Sequence, residues 1–156
     1  MNCNRKPDDM TDHSAARVVE RLVEAVNDGD LDALVACFAT DYVNETPVHP
    51  SRGFRGRDQV RTNWAQILAS VPGLRATVAR SSIHAGTAWT EWELAGMRAD
   101  GAAFLMRGVV IYEVRDDLLA SARLFLEPVD PTGSDVNEAV RSVLGTVDLE
   151  SPENTS

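Results

Sequence analysis

The chain has 156 residues, 44% of them hydrophobic, and a formal net charge of −9. This length and composition suit a single globular domain that buries its own core, and they exclude a disordered chain. No basic stripe with interleaved aromatics is present, so no nucleic-acid partner is expected. No apolar run nears the roughly 20 residues of a bilayer span, so no membrane is expected either.

Residues 1–13 read as a polar, disordered leader without the apolar core of a signal peptide, which points to the cytoplasm. Cys3 lies in that leader and Cys37 on an apolar face, so a disulfide is not expected. Ser14 is a candidate cap for a first helix, whose Ala15, Val19, Leu22 and Val26 share one face; Asn27-Asp28-Gly29 stops it. Asp30 can cap a second, short helix with Leu31, Leu34, Val35 and Phe38 on one side. Residues 41–56 are loop-rich, with a short strand over Tyr42–Thr46. A third helix begins near Asp58, carries Val60, Trp64, Ile67, Leu68 and Val71 as its apolar stripe, and ends at Pro72-Gly73.

The pattern then changes to strands at 74–83, 86–96, 103–114 and 118–127. Gly86, Ala99-Asp100-Gly101 and Arg115-Asp116-Asp117 mark the turns between them. Connections this short predict an antiparallel meander. The domain therefore spans 14–130 and is α+β, three N-terminal helices packed on a curved antiparallel sheet. Residues 131–156 form an acidic C-terminal tail, with a short helix at 135–144 on Val136, Ala139, Val140 and Val143, and disorder from Thr146. From Asp130 onward six acids face one base, Arg141, so much of the net charge is local to this end.

Several segments in this order resemble a known family. Val18-Val19-Glu20-Arg21-Leu22-Val23-Glu24-Ala25-Val26-Asn27-Asp28-Gly29-Asp30-Leu31-Asp32 is similar to the opening of nuclear transport factor 2-like (NTF2-like) proteins. Phe38-Ala39-Thr40-Asp41, Gly53-Phe54-Arg55-Gly56-Arg57-Asp58 and Ala122-Arg123-Leu124-Phe125-Leu126-Glu127-Pro128 follow at the expected places. The chain thus resembles the SnoaL-like branch of that superfamily, with its polyketide cyclases and ketosteroid isomerase-like proteins. The resemblance implies a cone-shaped roll enclosing one pocket. It does not fix a reaction, because such folds host isomerases, cyclases, hydrolases and binding proteins alike.

Particular reactions can be tested against the residues. Ketosteroid isomerisation needs a carboxylate base with a tyrosine and a protonated acid as oxyanion hole. The resemblance puts Thr46, Leu22 and Val110 at those positions, so that chemistry is rejected. Limonene-type epoxide hydrolysis is suggested by Tyr42-Val43-Asn44, but its Arg-x-Asp element appears as Trp92-Glu93-Leu94. The cyclases rely on a pocket aspartate, and none occurs in strands 86–96, 103–114 or 118–127.

Alternation along the strands decides what the pocket contains. One reading turns Met106 and Val110 inward, giving an apolar pocket of Thr46, Trp64, Trp92, Leu94, Met106, Val110 and Leu124. Glu91, Glu93 and Arg107 then pair on the outer face. The other puts Arg107, Arg123 and Glu127 in or at the mouth. For catalysis the candidates are His49 or Glu45 as base, Tyr42 and Asn44 to hold a polar substrate group, and Arg123 to counter negative charge. His13, His49 and His84 lack ligand spacing, so neither a metal nor another cofactor is expected. The sequence therefore leaves two functions open: a small-molecule pocket protein doing acid–base isomerisation, cyclisation or dehydration on a hydrophobic metabolite, or a non-catalytic binding or dimerisation module. A homodimer through the outer sheet face, with Trp89, Val109 and Ile111, is the expected assembly.

Overall fold

The computed structural model describes residues 7–145. Four helices, α1 (Pro7–Asp28), α2 (Leu31–Val35), α3 (Arg57–Ser70) and α4 (Val136–Leu144), accompany six strands. These are β1 (Phe38–Glu45), β2 (Phe54–Arg55), β3 (Arg75–His84), β4 (Thr87–Met97), β5 (Ala103–Arg115) and β6 (Leu118–Pro128), with a 3₁₀ turn at Pro50–Arg52. The strands form one sheet in the order β2-β1-β6-β5-β4-β3. None of the described helices is long and apolar enough to cross a membrane.

The first helix starts two turns before Ser14. Proline has a preset φ and no N–H to lose, so Pro7 suits a first helical position. The early turns are also tied down: an Asp12 carboxylate oxygen accepts the Gly86 N–H at 3.1 Å, and the Ser14 hydroxyl donates to Asp117. Residues 7–13, expected within a disordered leader, are therefore helical, and Ser14 braces a hairpin instead of capping. Residues 1–6, including Cys3, and the tail from Thr146 lie outside the described residues.

Asp30 caps α2 as its sequence suggests, accepting from the Ala33 N–H at 3.0 Å. That helix ends at Val35, and Phe38 opens a strand longer than the one expected at Tyr42–Thr46. The sheet departs from a pure antiparallel meander at one place, since β1 runs parallel to β6. The two strands are far apart in sequence, so no tight turn dictates their direction. The hairpins β3–β4 and β5–β6 turn on two residues each, with positive φ at Ala85-Gly86 and Asp116-Asp117, the conformation that matches strand twist.

Gly108 marks where the sheet is most tightly drawn. Its φ is +154°, and a Cβ there would lie 2.0 Å from the Phe125 carbonyl oxygen. Only glycine lets β5 approach β6 this closely. The core lies between α1 and the concave face of the sheet, where Val18, Leu22 and Val26 meet Ala88, Trp92 and Tyr112, all buried. Asn27 joins helix to sheet, accepting the Ala76 N–H at 2.7 Å and donating to the Ala76 carbonyl at 3.1 Å.

Candidate functional site

Strand alternation and one helix stripe build a cavity of about 280 Å³ on the concave face, near the lower end of the roughly 300–1,000 Å³ usual for small-molecule sites. Leu22, Phe38, Tyr42, Trp92, Leu94 and Val110 are buried and form its depth; Phe54, Trp64, Ile67, Met106, Leu124 and Leu126 are half-buried and surround its mouth. The residues expected as pocket wall (Thr46, Trp64, Trp92, Leu94, Met106, Val110 and Leu124) all line it.

The polar groups of the wall are few. The Trp92 indole N–H donates to Thr90 Oγ1 at 2.7 Å, and the Thr90 hydroxyl, behind the wall, donates to the Val110 carbonyl at 2.6 Å, so both protons are already committed. On β1, Tyr42 and Asn44 stand two residues apart on one side, as pleating requires, and Thr46 follows just past the strand's end, also lining the cavity. The Tyr42 hydroxyl donates to Asn44 Oδ1 at 3.0 Å, and Asn44 Nδ2 lies 3.4 Å from Thr46 Oγ1. Burial pushes the Tyr42 phenol well above its ordinary range, with Tyr112 adding to the shift. It therefore stays neutral in neutral solution. Asn63 joins from α3, its Oδ1 accepting from Gln59 Nε2 at 2.8 Å, which leaves its own N–H groups uncommitted by that bond.

Three of the proposed catalytic side chains do not line this cavity. Glu45 follows Asn44 on a strand and so takes the opposite face; Arg123 precedes inward Leu124 and does the same. The two pair outside at 3.3 Å, both exposed. His49 belongs to the loop after β1, and its Nε2 lies 3.0 Å from Glu127 Oε1. Arg107 pairs with Glu93 at 2.8 Å and Arg80 with Glu91 at 3.4 Å, also outside. The reading that placed Arg107 and Arg123 in the cone is thus corrected by the alternation. Glu127 alone of that group reaches the mouth region, through Arg52, whose Nη1 is 3.7 Å away.

Reading the sequence missed Arg52 and Asn63. Asn63 had a signal: with Val60, Trp64 and Ile67 it falls on the i, i+3, i+4, i+7 face of α3. Arg52 had none, because a 3₁₀ turn in a Pro-flanked loop leaves no periodic trace. Cys37 is buried, its Sγ donates to the Ala33 carbonyl at 3.4 Å, and desolvation raises its thiol pKa, the opposite of a reactive cysteine. Among the described residues, no group of three or more His, Cys, Asp or Glu side chains is arranged to hold a metal ion.

The SnoaL-like domain profile matches residues 19–122. No curated protein sequence matches the chain significantly. Among solved structures, a LEH-like epoxide hydrolase of M. tuberculosis superposes with a TM-score of 0.64 at 21% identity, over 74% of this chain and 84% of that one. IdmH, a putative polyketide cyclase from Streptomyces antibioticus, gives 0.64 at 23% identity, over 72% and 91%. RV0760c from Mycobacterium tuberculosis, in complex with estradiol-17β-hemisuccinate, gives 0.62 at 20% identity, over 72% and 92%. At these identities the likeness is one of fold.

Proposed function

Since the chain belongs to the family of SnoaL-like domains, we propose that it binds a hydrophobic small molecule, such as a polycyclic metabolite, through an oxygen function on an otherwise apolar body. The observation that carries this reading is the wall itself. Its surface is apolar apart from the Tyr42-Asn44-Thr46 edge, Tyr112, Asn63 and Arg52, and among the described residues neither a carboxylate nor a histidine lines it. Such a wall rewards shape and burial, and its few polar groups orient the ligand. The steroid conjugate bound by the fold relative RV0760c supports a ligand of that kind.

Titration with estradiol tests it, read by tryptophan emission because Trp64 and Trp92 line the wall. Native protein should give a saturable change at one site per chain. Val110→Phe and Leu124→Phe, which fill the cavity, should abolish it, with thermal melts checking that both variants fold. A native chain that responds neither to estradiol nor to an anionic naphthalene probe would sink the proposal.

Acid–base catalysis is the second reading, and one contact favours it: the 3.0 Å approach of His49 Nε2 to Glu127. A histidine oriented by a carboxylate beside a cavity mouth is an arrangement that transfers protons. In this reading an isomerisation, cyclisation or dehydration draws on His49, while Tyr42 and Asn44 hold the substrate oxygen. Exchange of the α-hydrogens of a 3-ketosteroid in D₂O, followed by mass spectrometry, should then be accelerated by the native chain and lost in His49→Gln. No acceleration by native protein leaves binding alone. We further propose a cytoplasmic homodimer, joined by the outer sheet face that carries Trp89, Val109 and Ile111; fractionation of the source cells checks the compartment.

A further inference from the structure

We infer that the ligand is a hydrophobic acid, whose anionic head is held at the cavity mouth by Arg52 while its apolar body fills the interior. This rests on the binding reading above and adds the chemical class. Among the described residues, Arg52 is the one charged side chain in the cavity wall. Its ionic partner among them is Glu127, which is already engaged: Oε1 lies 3.0 Å from His49 Nε2 but 3.7 Å from the guanidinium, beyond hydrogen-bonding distance. The guanidinium therefore keeps donors for a further anion, and a planar fork of N–H groups is the arrangement best matched to a carboxylate.

The loop is built to hold this arginine in place. The 3₁₀ turn closes through Arg52 N–H to the His49 carbonyl at 2.9 Å and Gly53 N–H to the Pro50 carbonyl at 3.1 Å; Gly56 N–H then pins the segment to the Tyr42 carbonyl of β1 at 2.7 Å. Gly53 packs against β1 so closely that a Cβ would lie 3.2 Å from the Asn44 carbonyl oxygen. The same wall offers further donors: the Asn63 amide, whose oxygen is occupied by Gln59, and the Thr46 hydroxyl, which already accepts from Asn44. The apolar depth cannot take an unpaired charge. An acid must therefore enter body first and leave its head outward at Arg52.

Estradiol and estradiol-17β-hemisuccinate are a neutral and an anionic probe with the same apolar body. Native protein at low salt should bind the hemisuccinate about five- to tenfold more tightly than estradiol, the scale of one charge-assisted contact at a half-open site. Arg52→Gln should bring that ratio to about one, and added salt should shrink it. Glu127→Gln should raise it, because the competing carboxylate is gone; a merely structural role for Arg52 would not produce this opposite shift. Arg80→Gln, on the outer face, should leave the ratio as in the native chain. If estradiol binds but the hemisuccinate gains nothing, or Arg52→Gln keeps the native ratio, the inference is overturned while the binding proposal stands. If neither probe binds, the binding proposal itself fails and takes this inference with it.

Discussion

Tyr42 and Tyr112 both line the cavity and are buried, and both phenols are raised well above their ordinary pKa, chiefly by desolvation. The consequence for stability has a definite sign. Below the ordinary tyrosine pKa of about 10, folded and unfolded chains both hold these protons and the groups contribute no pH dependence. Above it the unfolded phenols ionise while the folded ones do not, so the unfolded state gains and stability falls as pH rises toward the folded values. At pH 11 each tyrosine should cost about 1.4 kcal/mol relative to pH 9. The urea midpoint measured across that interval should drop in the native chain, and less steeply in Tyr42→Phe; parallel slopes would refute the assignment. At this scale the inward residues were legible wherever pleating settles a face, as for Trp92, Leu94, Met106 and Val110. The same rule, applied to β1 and β6, turns Glu45 and Arg123 outward. Alternation groups Arg123 with Glu127 but does not say which face of the strand is the inner one, so the sequence alone left both faces open.

Elements were easier to read than their ends. The α3 stripe, the two-residue hairpins and the Asp30 cap carry local signals, and each appears where those signals lie. The start of α1 does not, because what holds residues 7–13 is tertiary: Asp12 reaches Gly86, seventy-four positions on, and Ser14 reaches Asp117. The parallel pairing of β1 with β6 escaped for the same reason, being a contact between distant segments with no turn to announce it. The two chain ends should accordingly differ in what they contribute. In α4 no residue is buried; Val136, Val140, Val143 and Leu144 are all exposed. Deleting residues 131–156 should change unfolding free energy by no more than about 0.5 kcal/mol. Deleting residues 1–13 removes the Asp12 bond and leaves the Gly86 amide without it, and should cost about 1–2 kcal/mol. Equal losses from the two truncations, by urea denaturation, would contradict this division.

On the convex side of the whole molecule, the sheet register sets out rows that read as a surface for a second copy. Trp89, Ile111 and Arg123 are neighbours across β4, β5 and β6, and Glu91, Val109 and Phe125 form the next row. Trp89 is 54% exposed and Phe125 37%, large apolar groups left open among the described residues. They are flanked by the exposed pairs Arg123–Glu45, Arg107–Glu93 and Arg80–Glu91. An apolar centre with a charged rim is the anatomy of a two-fold interface, in which the same patch serves both partners. A standard interface buries about 800 Å² per partner, which a face of this kind can supply only if the rows pack squarely on one another. Opposing this is the charge of −9 on each chain, a repulsion that salt screens over about 10 Å at 0.1 M. Association should therefore strengthen when salt is raised from about 10 mM to about 150 mM, the reverse of an interface held by its ion pairs. Light scattering behind size exclusion should report twice the chain mass at physiological salt, and Trp89→Glu should return the mass of one chain with its thermal melt unchanged. A native protein that stays single at high concentration in that buffer would leave Trp89 and Phe125 without a second copy to cover them.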